Sequence, residues 1–336
     1  MLSLVCLEPG SLALEERDQP IRGENEVLVR VRRVGICGTD MHIFRGRQPY
    51  LTYPRVMGHE FAGEVAEAPE ESMLTVGERV VVMPYLSCER CIACRNGKTN
   101  CCVNLELFGV HRDGALAEFI SVPARFVLPL GDLTLDEAAM VEFLSIGAHA
   151  ARRADVRPGR RVLVVGAGPI GLAAALFSRL RGGDVTVVDG RADRLTFAVE
   201  HIGASHAVPL AENTQQVLSG LTGAEFFDVV FDATGSPQAM EKGFAYVAHG
   251  GTYVLISVVS ADVTFSDPEF HKREITLLAS RNATMEDFET VIEAMRLGQV
   301  PTKVFASHRT TLAELADELP NWMDPQAQVI KALVEI

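Results

Sequence analysis

A glycine-rich segment between an apolar run and a helix-forming run most constrains what this chain can fold into. Residues 162–165 are apolar, and Gly166, Gly168 and Gly171 follow in a G-x-G-x-x-G pattern. In this context the first glycine allows a tight turn, the second lets a phosphate approach the backbone, and the third lets the helix pack closely on the strand. Free N–H groups at the start of that helix favour an anion. The segment therefore predicts a site for the pyrophosphate of a dinucleotide. The residues predicted to bind it are Gly166, Gly168, Pro169, Ile170 and Gly171.

An acidic residue ends the next predicted strand. Asp189 closes the run 184–189 and lies 18 residues after Gly171. A carboxylate at this place accepts hydrogen bonds from both ribose hydroxyls of NAD and repels the 2′-phosphate of NADP. The sequence therefore favours NAD. Arg191 and Arg194 follow closely and would weaken that preference, and Arg194 is a further candidate for contact with the coenzyme.

Composition and charge limit the class of protein. The 336 residues are 48% hydrophobic and 22% charged, an ordinary mixture for a soluble globular protein, and long enough for two domains. The net charge of -13 makes nucleic acid and anionic membranes poor partners. No apolar run reaches the length of a membrane-spanning helix, and the first residues lack the basic segment of a signal peptide. We therefore expect a cytoplasmic protein.

An alternation of strands and helices from residue 161 to about residue 280 predicts a doubly wound parallel sheet. The candidate strands are 161–166, 184–189, 205–208, 227–232, 251–257 and 275–280. Ligands bind such sheets outside the carboxyl ends of the strands. Ala233, Thr234 and Gly235 follow the fourth strand directly, so we expect them to lie against the coenzyme.

Four of the seven cysteines lie in one short loop, residues 88–102, with the spacing C-x₂-C-x₂-C-x₇-C. Four thiolates on a compact loop suit a closed tetrahedral zinc site, which leaves no position open for substrate. The alternative is an iron–sulfur cluster, but its typical run ends with a three-residue gap and a proline, whereas Val103 follows here. Cys101 fits the spacing less well than its neighbour. The predicted structural zinc ligands are Cys88, Cys91, Cys94 and Cys102.

Three further segments hold residues suited to metal chemistry. Cys37 lies among small residues, His59 and Glu60 stand between glycines, and Glu142 falls within an apolar, helix-forming run. A carboxylate buried in such a run needs a cation or a metal. Each residue also has a simpler interpretation: a buried apolar thiol, a hydrogen-bonded histidine in a turn, and a partly exposed acid at a helix end. Taken one at a time, these alternatives stay open.

These motifs, in this order, resemble the zinc-dependent medium-chain dehydrogenase/reductase family, which includes alcohol, sorbitol and threonine dehydrogenases. The resemblance covers nearly the whole chain and rests on residues 35–40, 58–60, 88–102 and 162–171. It implies an α/β protein with a GroES-like, mostly-β catalytic domain and an inserted Rossmann domain. The implied ranges are 1–145 with 290–336 for the first domain and 146–289 for the second. The resemblance also implies one catalytic and one structural zinc per subunit, NAD, and a homodimer or homotetramer.

The family's site residues carry over one by one. By this resemblance Cys37, His59 and Glu142 match ligands of the catalytic zinc, and Glu142 stands where classical alcohol dehydrogenases have a cysteine. Glu60 matches an acid that ligates the metal directly or exchanges with water. Asp40 matches an acid that orients the histidine ligand.

The resemblance also gives expectations for proton transfer and substrate. Thr39 matches the hydroxyl that takes the substrate's proton, and His42 matches the far end of that relay. Residues 266–274 and 280–283 resemble the polyol and sugar-acid branch, such as the L-galactonate 5-dehydrogenase-like proteins. Arg281 is a candidate to bind a substrate carboxylate, although a salt bridge at a subunit contact or beside the coenzyme explains it equally well.

The expected reaction is oxidation of a secondary alcohol of a polyol or sugar acid to a ketone, with hydride transfer to NAD. Within the family, the alternatives are L-threonine and simple alcohols. An alternative of a different class is a non-catalytic zinc protein that senses NAD(H).

Overall fold

The structure is a computed structural model that describes all 336 residues. Its eighteen strands alternate with helices along the second half of the chain and dominate the first half. Strands β1 to β18 are, in order, Leu2–Glu8, Ser11–Glu16, Glu26–Ile36, Arg55–Val56, Glu60–Glu67, Arg79–Val82, Tyr85–Leu86, Glu106–Leu107, Phe119–Pro123, Val127–Pro129, Arg161–Val165, Asp184–Asp189, His206–Pro209, Phe227–Asp232, Val247–Leu255, Thr276–Ala279, Ala306–Thr311 and Lys331–Glu335.

The twelve α-helices are short, and none has the length and apolar character needed to cross a membrane. Helices α1 to α12 are, in order, Gly38–Phe44, Ile92–Arg95, Leu135–Ala138, Val141–Arg153, Pro169–Leu180, Ala192–Phe197, Thr214–Leu221, Pro237–Gly243, Asp267–Lys272, Met285–Arg296, Thr302–Phe305 and Leu315–Trp322.

The chain divides into two compact units. Unit 1 contains Met1–Glu142, Thr284–Gly298 and Thr302–Ile336, and unit 2 contains Phe143–Ala283 with Gln299–Pro301. Unit 1 is therefore built from both ends of the chain.

Unit 1 is organised around the long strand β3. In the seven-stranded sheet the order is β10-β6-β5-β3-β18-β17, and β9 also pairs with β3. Antiparallel β5 places Glu60 opposite Gly35 of β3, and antiparallel β18 places Ala332 opposite Ile36. Residues from the beginning and the end of the chain therefore meet at the carboxyl end of β3.

Unit 2 is a six-stranded parallel sheet in the order β13-β12-β11-β14-β15-β16. This order is that of a Rossmann fold, with the chain reversing its direction of growth between β11 and β14. The strands are apolar because helices cover both faces of such a sheet, and Leu163 and Val230 are fully buried. The structure confirms the predicted doubly wound sheet, although β15 begins at Val247, before the predicted residue 251.

The glycine-rich turn between β11 and α5 shows why each glycine is present. Gly166 has φ +93°, a conformation that residues with a Cβ rarely adopt. A Cβ on Gly171 would lie 1.8 Å from the carbonyl oxygen of Gly166, so the helix packs on the strand only without a side chain. At Gly168 a Cβ would meet no protein atom within 4 Å. The packing of the protein therefore does not require glycine at this middle position. The close approach of a ligand to the backbone would require it.

Substitution by alanine should separate these two roles. Gly171→Ala should lower the free energy of unfolding of unit 2 by about 2–3 kcal/mol, because the new methyl group overpacks a closed contact. Gly168→Ala is the matched control and should leave the stability of the ligand-free protein unchanged. Differential scanning calorimetry of both variants measures the difference. Equal melting temperatures for the two variants would contradict the role assigned to Gly171.

Candidate active site

A buried cluster of potential metal ligands lies at the carboxyl end of β3. One ligand atom each of Cys37, His59 and Glu60 lies within 4.8 Å of the others. His59 is 3% exposed and Glu60 is fully buried. A Cβ on Gly35 would lie 2.4 Å from Oε2 of Glu60. Gly35, two residues before Cys37, therefore makes room for this carboxylate. The structure therefore brings together three of the four residues predicted for the catalytic metal.

Asp40 holds the backbone on both sides of this cluster. Its carboxylate, fully buried, accepts from the backbone N–H of Cys37 at 2.9 Å and of Gly58 at 3.1 Å. Its Oδ1 lies 3.9 Å from Nδ1 of His59, which is too long for a hydrogen bond. The expected orientation of His59 by Asp40 is therefore indirect: the acid fixes the two segments that carry the ligands and attracts the imidazole by charge.

Glu142, the fourth predicted ligand, is buried in the same unit and hydrogen-bonded on one side only. The Tyr85 hydroxyl donates to Oε1 of Glu142, while Oε2 is buried without a hydrogen-bond partner. Burial raises the pKa of Glu142 to about 7. The carboxylate oxygens of Glu142 are not among the ligand atoms that lie within 4.8 Å of one another. Burial acts to lower the pKa of His59, and the charge of Glu142 is one of the causes that raise it.

The unsatisfied atoms test whether a metal fits this site. Nδ1 of His59 and Oε2 of Glu142 are both buried and lack a hydrogen-bond partner. Unpaired buried polar atoms are costly and therefore rare. A sulfur, a nitrogen and a carboxylate oxygen are the donor types that catalytic zinc takes, with one position left open. The residues present fit zinc at this place.

Lys331 is a site residue that the sequence analysis missed. Its Nζ lies 2.7 and 2.6 Å from the two carboxylate oxygens of Glu60 and donates to the carbonyl oxygen of Ile36 at 3.2 Å. Lys331 is 1% exposed. Burial acts to lower the pKa of Lys331, but the charges of Glu60, Cys37 and Glu142 and the hydrogen bonding to Glu60 together raise it. The one signal in the sequence was a lysine within an apolar C-terminal run.

The two residues of the expected proton relay are on helix α1. Oγ1 of Thr39 lies 3.9 Å from Sγ of Cys37, so the hydroxyl is beside the ligand cluster, and the residue is half-buried. His42 follows three residues later, on the same face of the helix, and is exposed. The helix therefore places one group near the metal position and the other in solvent.

The cysteine loop forms a second, separate cluster. The four Sγ atoms of Cys88, Cys91, Cys94 and Cys102 all lie within 4.8 Å of one another. The distances from Cys91 are 3.4 Å to Cys94 and 3.9 Å to Cys102. Thiolates bound at about 2.3 Å to tetrahedral zinc are about 3.8 Å apart, so this cluster fits the metal. Cys101 is exposed and outside it.

The predicted coenzyme residues meet at the carboxyl edge of the sheet in unit 2. Oδ2 of Asp189 accepts from the backbone N–H of Ala167, within the glycine-rich turn, at 2.6 Å. A Cβ on Gly166 would lie 2.9 Å from the carbonyl oxygen of Ala233, so the turn and residues 233–235 are adjacent. Arg194 differs from expectation in one respect: its side chain is only 6% exposed.

Asp232, which the sequence analysis did not select, organises the neighbouring segment. It is fully buried and accepts from the backbone N–H of Thr234 at 3.0 Å and from its hydroxyl at 2.9 Å. The Ser257 hydroxyl donates to the same carboxylate at 3.2 Å and accepts from the Gly235 N–H at 2.9 Å. Two loops at the carboxyl edge are therefore joined through one acid.

Comparison with known proteins identifies the family. Residues 23–132 match the alcohol dehydrogenase GroES-like domain, and residues 169–296 match the zinc-binding dehydrogenase domain. The L-galactonate-5-dehydrogenase of Escherichia coli strain K12 is 40% identical over 336 residues, which cover 98% of each chain.

Solved structures show the same fold with either coenzyme. An alcohol dehydrogenase, RspB, from Escherichia coli CFT073 in complex with NADH has a TM-score of 0.94 and 30% identity, over 100% of this chain and 99% of its own. A zinc-binding dehydrogenase from Sinorhizobium meliloti 1021 bound to NADP has a TM-score of 0.93 and 27% identity, with the same coverage. The chain therefore belongs to the zinc-dependent medium-chain dehydrogenase/reductase family, as an alcohol-oxidising enzyme that uses zinc and a nicotinamide coenzyme.

Proposed function

We propose that this enzyme oxidises a secondary alcohol of a sugar acid, of the L-galactonate type, to a ketone with NAD as hydride acceptor. The observation that carries the proposal is the pair of unsatisfied buried atoms, Nδ1 of His59 and Oε2 of Glu142, in the unit that also holds Cys37. The substrate class rests on the relative that is 40% identical over almost the full length of both chains. L-threonine and simple alcohols remain the alternatives that the test below distinguishes.

The side chains suggest how the site works. Zinc held by Cys37, His59 and Glu142 would supply a Lewis acid for the substrate hydroxyl, and NAD would supply the acceptor for the hydride. Thr39, beside the cysteine, takes the proton that the substrate hydroxyl releases and gives up its own hydroxyl proton towards His42. His42, exposed on the next turn of α1, passes that proton to solvent.

Charge balance favours Glu142 over Glu60 as the carboxylate that binds the metal, while the third buried carboxylate of this site, Asp40, is held by two backbone N–H groups. The thiolate of Cys37 and the carboxylate of Glu142 together match the charge of a divalent zinc ion. Lys331 matches the charge of Glu60, with both carboxylate oxygens held by Nζ. A buried charge without a partner is strongly unfavourable. We therefore propose that Lys331 keeps Glu60 away from the metal, which leaves the open coordination position to the substrate.

Arg281 supports the proposal of an acidic substrate. It is exposed and follows Ser280 directly after β16, at the edge of the sheet where ligands of this fold bind. A guanidinium group binds a carboxylate through two parallel hydrogen bonds. Among the candidate substrates, the sugar acids and L-threonine carry a carboxylate, whereas neutral polyols and simple alcohols do not.

We also propose that the protein is a cytoplasmic homodimer or homotetramer. β15 is paired on both sides, by β14 and β16, so it offers no open edge. β16 is the last strand of the sheet, and its Leu277 is 39% exposed. An open strand edge with an exposed apolar side chain suits pairing with a second copy of the chain.

The substrate proposal predicts a specific pattern of turnover. Among L-galactonate, other aldonic acids, neutral polyols, L-threonine and simple alcohols, the sugar acids should give the fastest NAD reduction, and a chelator should abolish it. Arg281→Ala should raise KM for the sugar acid at least about tenfold, because a bidentate contact is lost. KM for a neutral polyol is the internal control and should change much less. A fast reaction with simple alcohols alone would sink the proposal.

Removal of one ligand from each cluster should distinguish the two metals. Cys37→Ala should lower turnover at least about 1000-fold, with NADH binding retained. Cys94→Ser should lower Tm by about 5–10 °C, because the loop loses its metal. Each variant should keep one zinc per subunit by elemental analysis. Two zincs in Cys94→Ser would refute the structural site, and loss of NADH binding in Cys37→Ala would indicate misfolding.

Neutralising the buried lysine should change metal retention and turnover in opposite directions. In zinc-loaded Lys331→Met, Glu60 loses its partner and takes the open position on the metal. Zinc should then leave more slowly in the presence of a chelator, and kcat should fall at least about tenfold. Lys331→Met with Glu60→Gln is the matched control, and its zinc release should return towards that of the wild type. Faster zinc loss in the single variant would contradict the role assigned to Lys331.

A further inference from the structure

Two arginines follow the acidic residue at the end of β12. Arg191 and Arg194 come within five residues of Asp189, with Asp193 between them. A guanidinium group in this place is the usual partner of the 2′-phosphate of NADP, since it binds phosphate through two hydrogen bonds. Solved relatives are bound to NADH in one case and to NADP in another. The contacts that these two arginines make therefore bear on the choice of coenzyme.

Arg191 is held at both its backbone and its side chain. Its backbone N–H donates to Oδ1 of Asp189 at 2.8 Å, which fixes the start of the side chain beside the acid expected to bind the ribose. Its Nε and Nη2 donate to the two oxygens of Asp193 at 3.1 and 2.6 Å. The Nε–Nη2 edge of the guanidinium group, one of the edges that can bind a phosphate, is therefore paired with a carboxylate of the same segment.

Arg194 faces the same acid but is withdrawn from solvent. Its side chain is 6% exposed, and its Nε lies 3.9 Å from Oδ2 of Asp193. The side chains of Arg191 and Asp193 are 34% and 32% exposed. Of the two arginines, Arg191 is therefore the one that solvent, and a ligand, can reach.

We propose that Asp193 is a specificity-determining residue, which neutralises Arg191 and keeps its guanidinium group from binding the 2′-phosphate of NADP. Asp189 repels that phosphate, and Asp193 removes the cation that would offset the repulsion. Preference for NAD then depends on two acids rather than one. This inference rests on the proposed function only in requiring that a nicotinamide dinucleotide binds unit 2.

The test is direct binding of NADH and NADPH to the full-length, zinc-loaded protein, measured by coenzyme fluorescence without substrate. Asp193→Asn keeps the shape of the side chain and removes its charge. Because a partly exposed ion pair contributes modestly, the ratio of the NADH Kd to the NADPH Kd should rise about three- to tenfold. Arg191→Ala with Asp193→Asn should bring that ratio back to the wild-type value. Asp262→Asn, which removes one exposed acid elsewhere in unit 2, controls for net charge.

The outcomes separate the possible roles of the residue. Equal weakening of both coenzymes in Asp193→Asn would overturn the proposal, because Asp193 would then merely stabilise the first turn of α6. An unchanged ratio, or a shift that survives removal of Arg191, would overturn it as well. Wild-type preference for NADPH would overturn it too, and would replace NAD by NADP in the proposed reaction while leaving the proposed substrate unchanged. Only a wild-type protein that binds neither coenzyme would overturn the proposed function together with this inference.

Discussion

The buried ion pair between Lys331 and Glu60 is the interaction on which unit 1 depends. Both side chains are almost completely excluded from solvent, and removing one partner of such a pair typically costs about 3–5 kcal/mol. The pair joins β18 to β5 across the end of β3. The same two groups therefore take part in the packing of the sheet and carry charge beside the proposed metal position, so a change to either group affects both.

The parts of the fold that the sequence predicted are those encoded by neighbouring residues. The glycine-rich turn, the parallel strands of unit 2 and the four-cysteine loop each arise from spacing within a short segment. Local sterics and side-chain periodicity determine such features, so a pattern in the chain is enough to recognise them. The boundary between the two units has no such signal in the sequence, because helix α4 runs across it. Unit 1 ends at Glu142 and unit 2 begins at Phe143, and both residues belong to that helix.

Long-range contacts account for what the sequence could not supply. Lys331 reaches Glu60 across 271 positions, and Tyr85 reaches Glu142 across 57. The first pair follows from the register of β18 and β5 on β3, and the second from a contact between β7 and α4. No local spacing in the sequence reveals either. Tyr85 also belongs to β7, which pairs with β8 at the base of the cysteine loop. The fold of that loop therefore helps to position Glu142, a link between the two metal clusters that their sequence motifs do not show.

The position of β18 after unit 2 along the chain has a consequence for the order of assembly. During synthesis the amino-terminal part of a chain leaves the ribosome first, and domains generally fold as units. All of Phe143–Ala283 emerges before Lys331, so every strand of the Rossmann sheet has been synthesised while the carboxylate of Glu60 still lacks its counter-charge. The ion pair of unit 1 therefore forms only after the whole segment of the dinucleotide fold has left the ribosome.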